Sequence, residues 1–335
     1  MRSRFCTTVV TLLWAGSAVA ETPVQVYSDD FETLPVDPGW SNTSTAFDSD
    51  YTRFLGLFDN APTQTSREFT MPAGATRAEI QFDFYRFDSW DNTTRWGFDR
   101  LQVEVDGTQR ISLPFSSSQS ARNGLDGPVS WSHVPLAAAT NNAVNLTNQP
   151  WYQDQPHRFT LVVDQPGPTL SLTLRTFLNQ GGNDESGGFD NVVVTAFVPP
   201  EINAAKSVGI VAVGPSPAYS IPGNHAVYTI NITNTGGQTN AGSVELIDNL
   251  PPEVTLDTSN PIVFTDSANA SGLSCCTPAQ VDYSNTTSGP PVFGYTPISP
   301  LDPAVTYVRI RPSGAIRDSR ADPATVSFEL RTVIR

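Results

Sequence analysis

Along nearly the whole chain apolar and polar residues alternate with a period of two, and past residue 20 no stretch of useful length shows the 3.6-residue period of an amphipathic helix. Successive side chains of a strand point to opposite faces, so the pattern calls for sheets with one buried face. The segment 226–251 shows it most clearly. Tyr228, Ile230 and Ile232 fall on one face, with Val227, Thr229, Asn231 and Thr233 on the other. Asn234 breaks the alternation, and Thr235-Gly236-Gly237-Gln238 supplies residues that tolerate positive φ. The chain is expected to reverse there into a second strand at 243–247, the two strands defining one sandwich edge.

Further strands are expected at 24–27, 54–57, 66–70, 77–87, 98–105, 109–113, 157–164, 169–177 and 189–197, separated by turn dipeptides such as Asp106-Gly107 and Pro166-Gly167. Short strands with long loops read as an all-β antiparallel sandwich of the jelly-roll kind. Val198-Pro199-Pro200-Glu201 ends the last of them, because proline cannot donate a ladder hydrogen bond. A domain boundary is placed there, giving domains at 21–199 and 200–335. The second is expected to carry strands at 262–265, 305–311 and 325–334 as well.

The second domain resembles the bacterial surface repeat known as domain of unknown function 11. The likeness rests on Lys206-Ser207, Pro222-Gly223, Tyr228-Thr229, Asn234-Thr235-Gly236 and Asp248-Asn249-Leu250-Pro251, in that order. It implies an immunoglobulin-like β-sandwich carried on an exported protein, and it implies no reaction.

Residues 1–20 read as a secretory signal peptide: Arg2 and Arg4 precede the apolar run 9–15, and Ala18-Val19-Ala20 offers small residues for cleavage. The run is shorter than the ~20 residues of a transmembrane helix. The expected location is therefore secreted, extracellular or in the cell envelope. Without Arg2 and Arg4 the chain has 17 basic against 33 acidic residues, a charge of about −16. Such a surface repels phosphate backbones, which argues against nucleic acid as a partner and suits divalent cations.

Cys275 and Cys276 are adjacent and remain after cleavage of the leader. In an oxidising compartment they form a vicinal disulfide, link two chains, or stay reduced, the first being slightly favoured. Their loop, 265–300, argues against a place in the core. The single lysine, Lys206, is expected as a solvated residue opening a strand. The alternative is a buried lysine beside a carboxylate, as in the intramolecular Lys–Asn crosslinks of some bacterial surface sandwiches.

Acids cluster at three places in the first domain: Asp29-Asp30-Phe31-Glu32 before Gly39-Trp40, Asp88-Ser89-Trp90-Asp91 before Gly97-Phe98-Asp99, and Asp184-Glu185 before Phe189-Asp190-Asn191-Val192. Calcium takes six to eight oxygen ligands, commonly from loops, so acids near both chain ends can meet on one ion. The first and last of these segments resemble the jelly rolls of carbohydrate-binding and lectin-like modules. That likeness implies a structural calcium on Glu32 and Asp190, with Asp30 next and Asp184 more weakly; Asp88, Asp91, Asp99 and Glu185 correspond weakly too. The competing reading is solvated loop acids and Asx-turns.

Polysaccharide or surface-polymer binding needs an exposed aromatic platform beside polar side chains, for which Trp90, Trp96, Trp151 and Tyr152 are the candidates. Catalysis is not expected. Glu104-Val105-Asp106 is similar to the paired acids of jelly-roll glycan hydrolases, but Thr108 stands where a third acid belongs and Asp106-Gly107 reads as a turn. The three histidines are scattered without metal spacing. A non-catalytic binding or adhesion protein, a purely structural envelope protein with self-association, and a glycan-active enzyme are thus weighed in that order.

Overall fold

The computed structural model of the chain describes residues 10–12, 21–60, 64–93, 97–116, 119–140, 153–181, 184–215, 217–260 and 262–335. Among them the fold is all-β, and the sole helical element is one 3-10 turn, Pro278–Gln280. The chain divides into two units, one of residues 23–198 and one of residues 199–335 together with those up to Thr22. The division falls at the Pro199-Pro200 pair.

Eight strands carry the first unit: β1 Thr52–Phe58, β2 Gln64–Thr70, β3 Arg77–Asp88, β4 Arg100–Val105, β5 Thr108–Pro114, β6 Gln155–Asp164, β7 Thr169–Phe177 and β8 Glu185–Val198. One antiparallel sheet runs β1-β8-β3-β6 and the other β2-β7-β4-β5, which is the double Greek-key order of a jelly roll. Thr45–Asp48 extends the first sheet beside β1, while Val129–Pro135 and Arg122–Asp126 extend it beyond β6. Thr22–Asp29 also pairs with β8, so the opening and closing strands of the unit are neighbours. The turn signals did not reveal the strands at 45–48, 122–126 and 129–135.

The period of two becomes burial directly: β6 alternates buried and half-buried residues from Gln155 to Val163. Its Phe159 stacks on Phe82 of β3, and Phe84 and Phe189 complete an aromatic layer between the sheets. Each such side chain taken out of water contributes about 1.5–3 kcal/mol. Gly188 faces the other side of that sheet, where a Cβ would come within 2.4 Å of the Phe54 ring, which packs with Tyr85 and Phe87.

The second unit has β9 Ile202–Val211, β10 His225–Asn234, β11 Leu246–Asn249, β12 Val281–Ser284, β13 Tyr307–Ile310 and β14 Ala324–Ile334. One sheet orders β9-β10-β14, with Val254–Leu256 and Val263–Asp266 also on β14; the other orders β11-β13-β12, with Val10–Leu12 on the free edge of β11. The burial of Tyr228, Ile230 and Ile232 follows the alternation read in the sequence. The expected edge pair does not form. β10 and β11 lie in opposite sheets, and the second strand begins at Leu246 rather than at residue 243.

Asn234 is the reason. Its buried amide donates to the carbonyls of Gly237 and Arg317, and its oxygen accepts from the amides of Gly236 and Glu201. The Gly-rich segment is thereby pinned as a crossing between sheets instead of a hairpin turn. Gly236 is packed against the backbone of Pro199, where a Cβ would meet the carbonyl oxygen at 2.5 Å.

Cys275 and Cys276 are joined as a vicinal disulfide. Both are half-buried against the core of the second unit, contrary to the expectation of a loop remote from it. Segment 265–300 is also more ordered than expected, since it contains β12 and the short strand Leu273–Ser274.

Candidate metal centre

Asp88 ends β3 and stands opposite Glu185, which begins β8. This register brings the Asp-Ser-Trp-Asp and Asp-Glu segments together. Ser89 donates its backbone amide to the Asp184 carbonyl at 2.9 Å and its hydroxyl to Asp184 Oδ1 at 2.7 Å. The short strands Asn92–Thr93 and Gly97–Phe98 pair and return the chain, so that Asp99 donates its amide to the Asp91 carbonyl at 2.9 Å. Asp91 in turn donates its amide to Asp99 Oδ2.

Carboxylate oxygens of Asp91, Asp99 and Glu185 then lie within 4.8 Å of one another. Asp99 and Glu185 have no exposed surface. Gln180 donates its amide to Glu185 Oε2, whereas Asp99 Oδ1, Glu185 Oε1 and the nearby Asp88 Oδ2 are buried without a hydrogen-bond partner among the described residues.

The electrostatics of the cluster all run one way. Burial, with the Asp99 carboxyl beside it, pushes Glu185 up to about 8. Burial also raises Asp99 and Asp91, the latter further by the charge of Asp184. Asp88 is pushed up to about 6 by burial, the buried Arg86 guanidinium opposing the shift. Such a group holds its protons unless a cation compensates it. Calcium–oxygen bonds of about 2.3–2.6 Å place two ligands of one ion no more than about 5 Å apart, so the three carboxylates are spaced to share one.

The residues nominated first from the sequence sit elsewhere. Asp30 is exposed, and its Oδ1 accepts the Glu32 amide, which is the Asx-turn of the competing reading. Glu32 is exposed and accepts the Arg53 amide at 2.8 Å. Asp190 is buried and pushed up to about 7 by burial, with the Glu32 charge a lesser contributor. The strand Thr22–Asp29 does pair with β8, but the Asp190 carboxylate is taken by the Tyr85 hydroxyl at 2.7 Å and by the backbone and side-chain amides of Asn191. Asp190 lies five positions along β8 from Glu185, roughly 16 Å at strand spacing, and belongs to a different locus. Asp184 stands beside the cluster, held by Ser89.

Trp90 is a correction. It is 2% exposed, its ring packs on Phe84 and Phe115, and its indole N–H donates to the Ser186 carbonyl at 2.8 Å. A ring enclosed in this way offers no face to a sugar. Trp96, Trp151 and Tyr152 lie outside the described residues. The paired acids at 104 and 106 do not share a strand face either. Asp106 sits in the turn at φ 52° and accepts the Ser171 amide, while Glu104 faces Arg175 at 3.5 Å.

No protein-family model matches this chain, and no curated protein matches it. Among solved structures it is similar to dimeric latent PorU from Porphyromonas gingivalis at 9% identity and a TM-score of 0.32, over 98% of this chain and 22% of that one. It is also similar to a cycloisomaltooligosaccharide glucanotransferase of Paenibacillus sp., complexed with cycloisomaltoheptaose, at 12% identity and a TM-score of 0.22, over 91% of this chain and 45% of that one. The chain thus spans less than half the length of either.

Proposed function

We propose that this chain is an exported, non-catalytic protein of the cell surface or secretome whose jelly roll is locked by one calcium ion at Asp91, Asp99 and Glu185. In this reading the second sandwich is an immunoglobulin-like spacer of the surface-repeat type. The observation that carries it is the buried carboxyl pair Asp99 and Glu185, each keeping one oxygen without a hydrogen-bond partner among the described residues, with carboxylate oxygens of these two and of Asp91 within 4.8 Å of one another. Ionised and unaccompanied, these groups oppose folding; around a divalent cation they tie the turn before β4 to the start of β8.

The burial of Trp90 removes one platform from the glycan-binding reading and favours a structural role. Affinity for a polysaccharide or surface polymer then rests on Trp96, Trp151 and Tyr152.

The test is calorimetric unfolding of the chain with calcium and with EDTA. An ion held only by the folded form, at a hundred times its dissociation constant, adds about 2.7 kcal/mol. The transition of the first domain is expected to rise in calcium, and Glu185→Gln is expected to abolish that rise while leaving the EDTA transition unchanged or higher. Equal transitions in calcium and EDTA would sink the proposal.

A further inference from the structure

Lys206 is not solvated. It lies on β9, its side chain 9% exposed, with Nζ 2.5 Å from Oδ1 of Asp248, whose side chain on β11 has no exposure. The two strands belong to opposite sheets. The Tyr228 ring stands 4.4 Å from the amine. Asp248 Oδ2 and the Tyr228 hydroxyl are buried without a hydrogen-bond partner among the described residues. An ion pair in such a place loses hydration that a single contact does not fully return. Burial raises the Asp248 carboxyl, against the opposing charge of Lys206.

We propose that Lys206 and Asp248 condense into an amide that staples β9 to β11 across the second sandwich. The ammonium passes one proton to the carboxylate, leaving an amine and a carboxylic acid. The amine lone pair attacks Cγ, the Cγ–OH bond breaks, and the hydroxyl leaves as water with a proton from nitrogen. One C–N bond replaces one C–O bond, nothing is oxidised or reduced, and no co-reactant is consumed. Between free molecules this condensation is slow, but reactants held in contact gain an effective molarity on the order of 10⁵–10⁸ M. Apolar surroundings also favour release of the water. The product is a Lys–Asp link, where the sequence alone suggested Lys–Asn.

The chain supplies its own assay, because Lys206 is the single tryptic site between Arg175 and Arg309. Trypsin does not cut after an acylated lysine. Digestion of the purified, unfolded and reduced chain is expected to give one peptide, residues 176–309, lighter than its sequence by one water, with fragmentation joining Lys206 to Asp248. Two separate peptides, 176–206 and 207–309, at full mass would overturn the proposal. Lys206→Arg retains the charge and is expected to give both peptides at full mass. A water deficit persisting in that variant places the loss elsewhere and equally overturns it.

Discussion

His133 and His157 meet in the aromatic layer of the jelly roll, ring centroids 5.5 Å apart, with His133 stacked on Phe115 and His157 edge-on to it. All four ring nitrogens are buried without a hydrogen-bond partner among the described residues. Burial holds the two imidazoles down at about 4 and about 3. A base whose folded pKa is depressed stabilises the fold above its ordinary pKa of about 6.5, and that contribution is lost as pH falls towards the folded values. His157→Phe fits the same apolar slot without nitrogens to satisfy. It is expected to stabilise the first domain by about 1–3 kcal/mol at pH 5, read from urea midpoints, with a smaller gain at pH 8. In the sequence these histidines are 24 positions apart with no spacing to connect them. Only the pairing of Val129–Pro135 with β6 makes them neighbours. The acids at 91, 99 and 185 were visible in the same incomplete way. Their segments stood out in the sequence, but the selection among them depended on which oxygens the fold leaves free.

Strands were the most legible feature at the level of the element. β7 matches its expected bounds, and the expected alternation persists through β10 and β14. What one strand's pattern lacks is the identity of its partner. The hairpin expected after residue 234 fails because local turn chemistry cannot distinguish a reversal within a sheet from a crossing between sheets. Here the four hydrogen bonds of Asn234 decide for the crossing. Asn234→Ala strips them from a buried side chain and is expected to destabilise the second domain by about 2–4 kcal/mol, seen as a lower urea midpoint. The transition of the first domain is expected to stay where it was. The β3–β8 register is the corresponding element-scale fact in the jelly roll, since sliding it by one residue would turn Glu185 away from Asp99.

Taken as a whole, the molecule carries opposing titrations in its first domain. Glu185, Asp190 and Asp88, raised to about 8, 7 and 6, stabilise the fold while protonated, and that contribution is lost as pH rises through those values. The histidine pair withdraws its own contribution on the acid side. In EDTA the melting temperature of the first domain is expected to peak near pH 5–6 and fall towards pH 8. Saturating calcium, which binds the ionised cluster, is expected to flatten much of the alkaline fall and leave the acid limb intact. Melting curves recorded across pH with and without the ion check this, and parallel curves would count against the calcium site. The formal charge of −14 contains only one lysine, and that lysine is enclosed between sheets beside Asp248. Amine-directed reagents thereby meet no open side-chain amine on this chain, so an ester dye or an activated surface should take up the folded chain only sparingly.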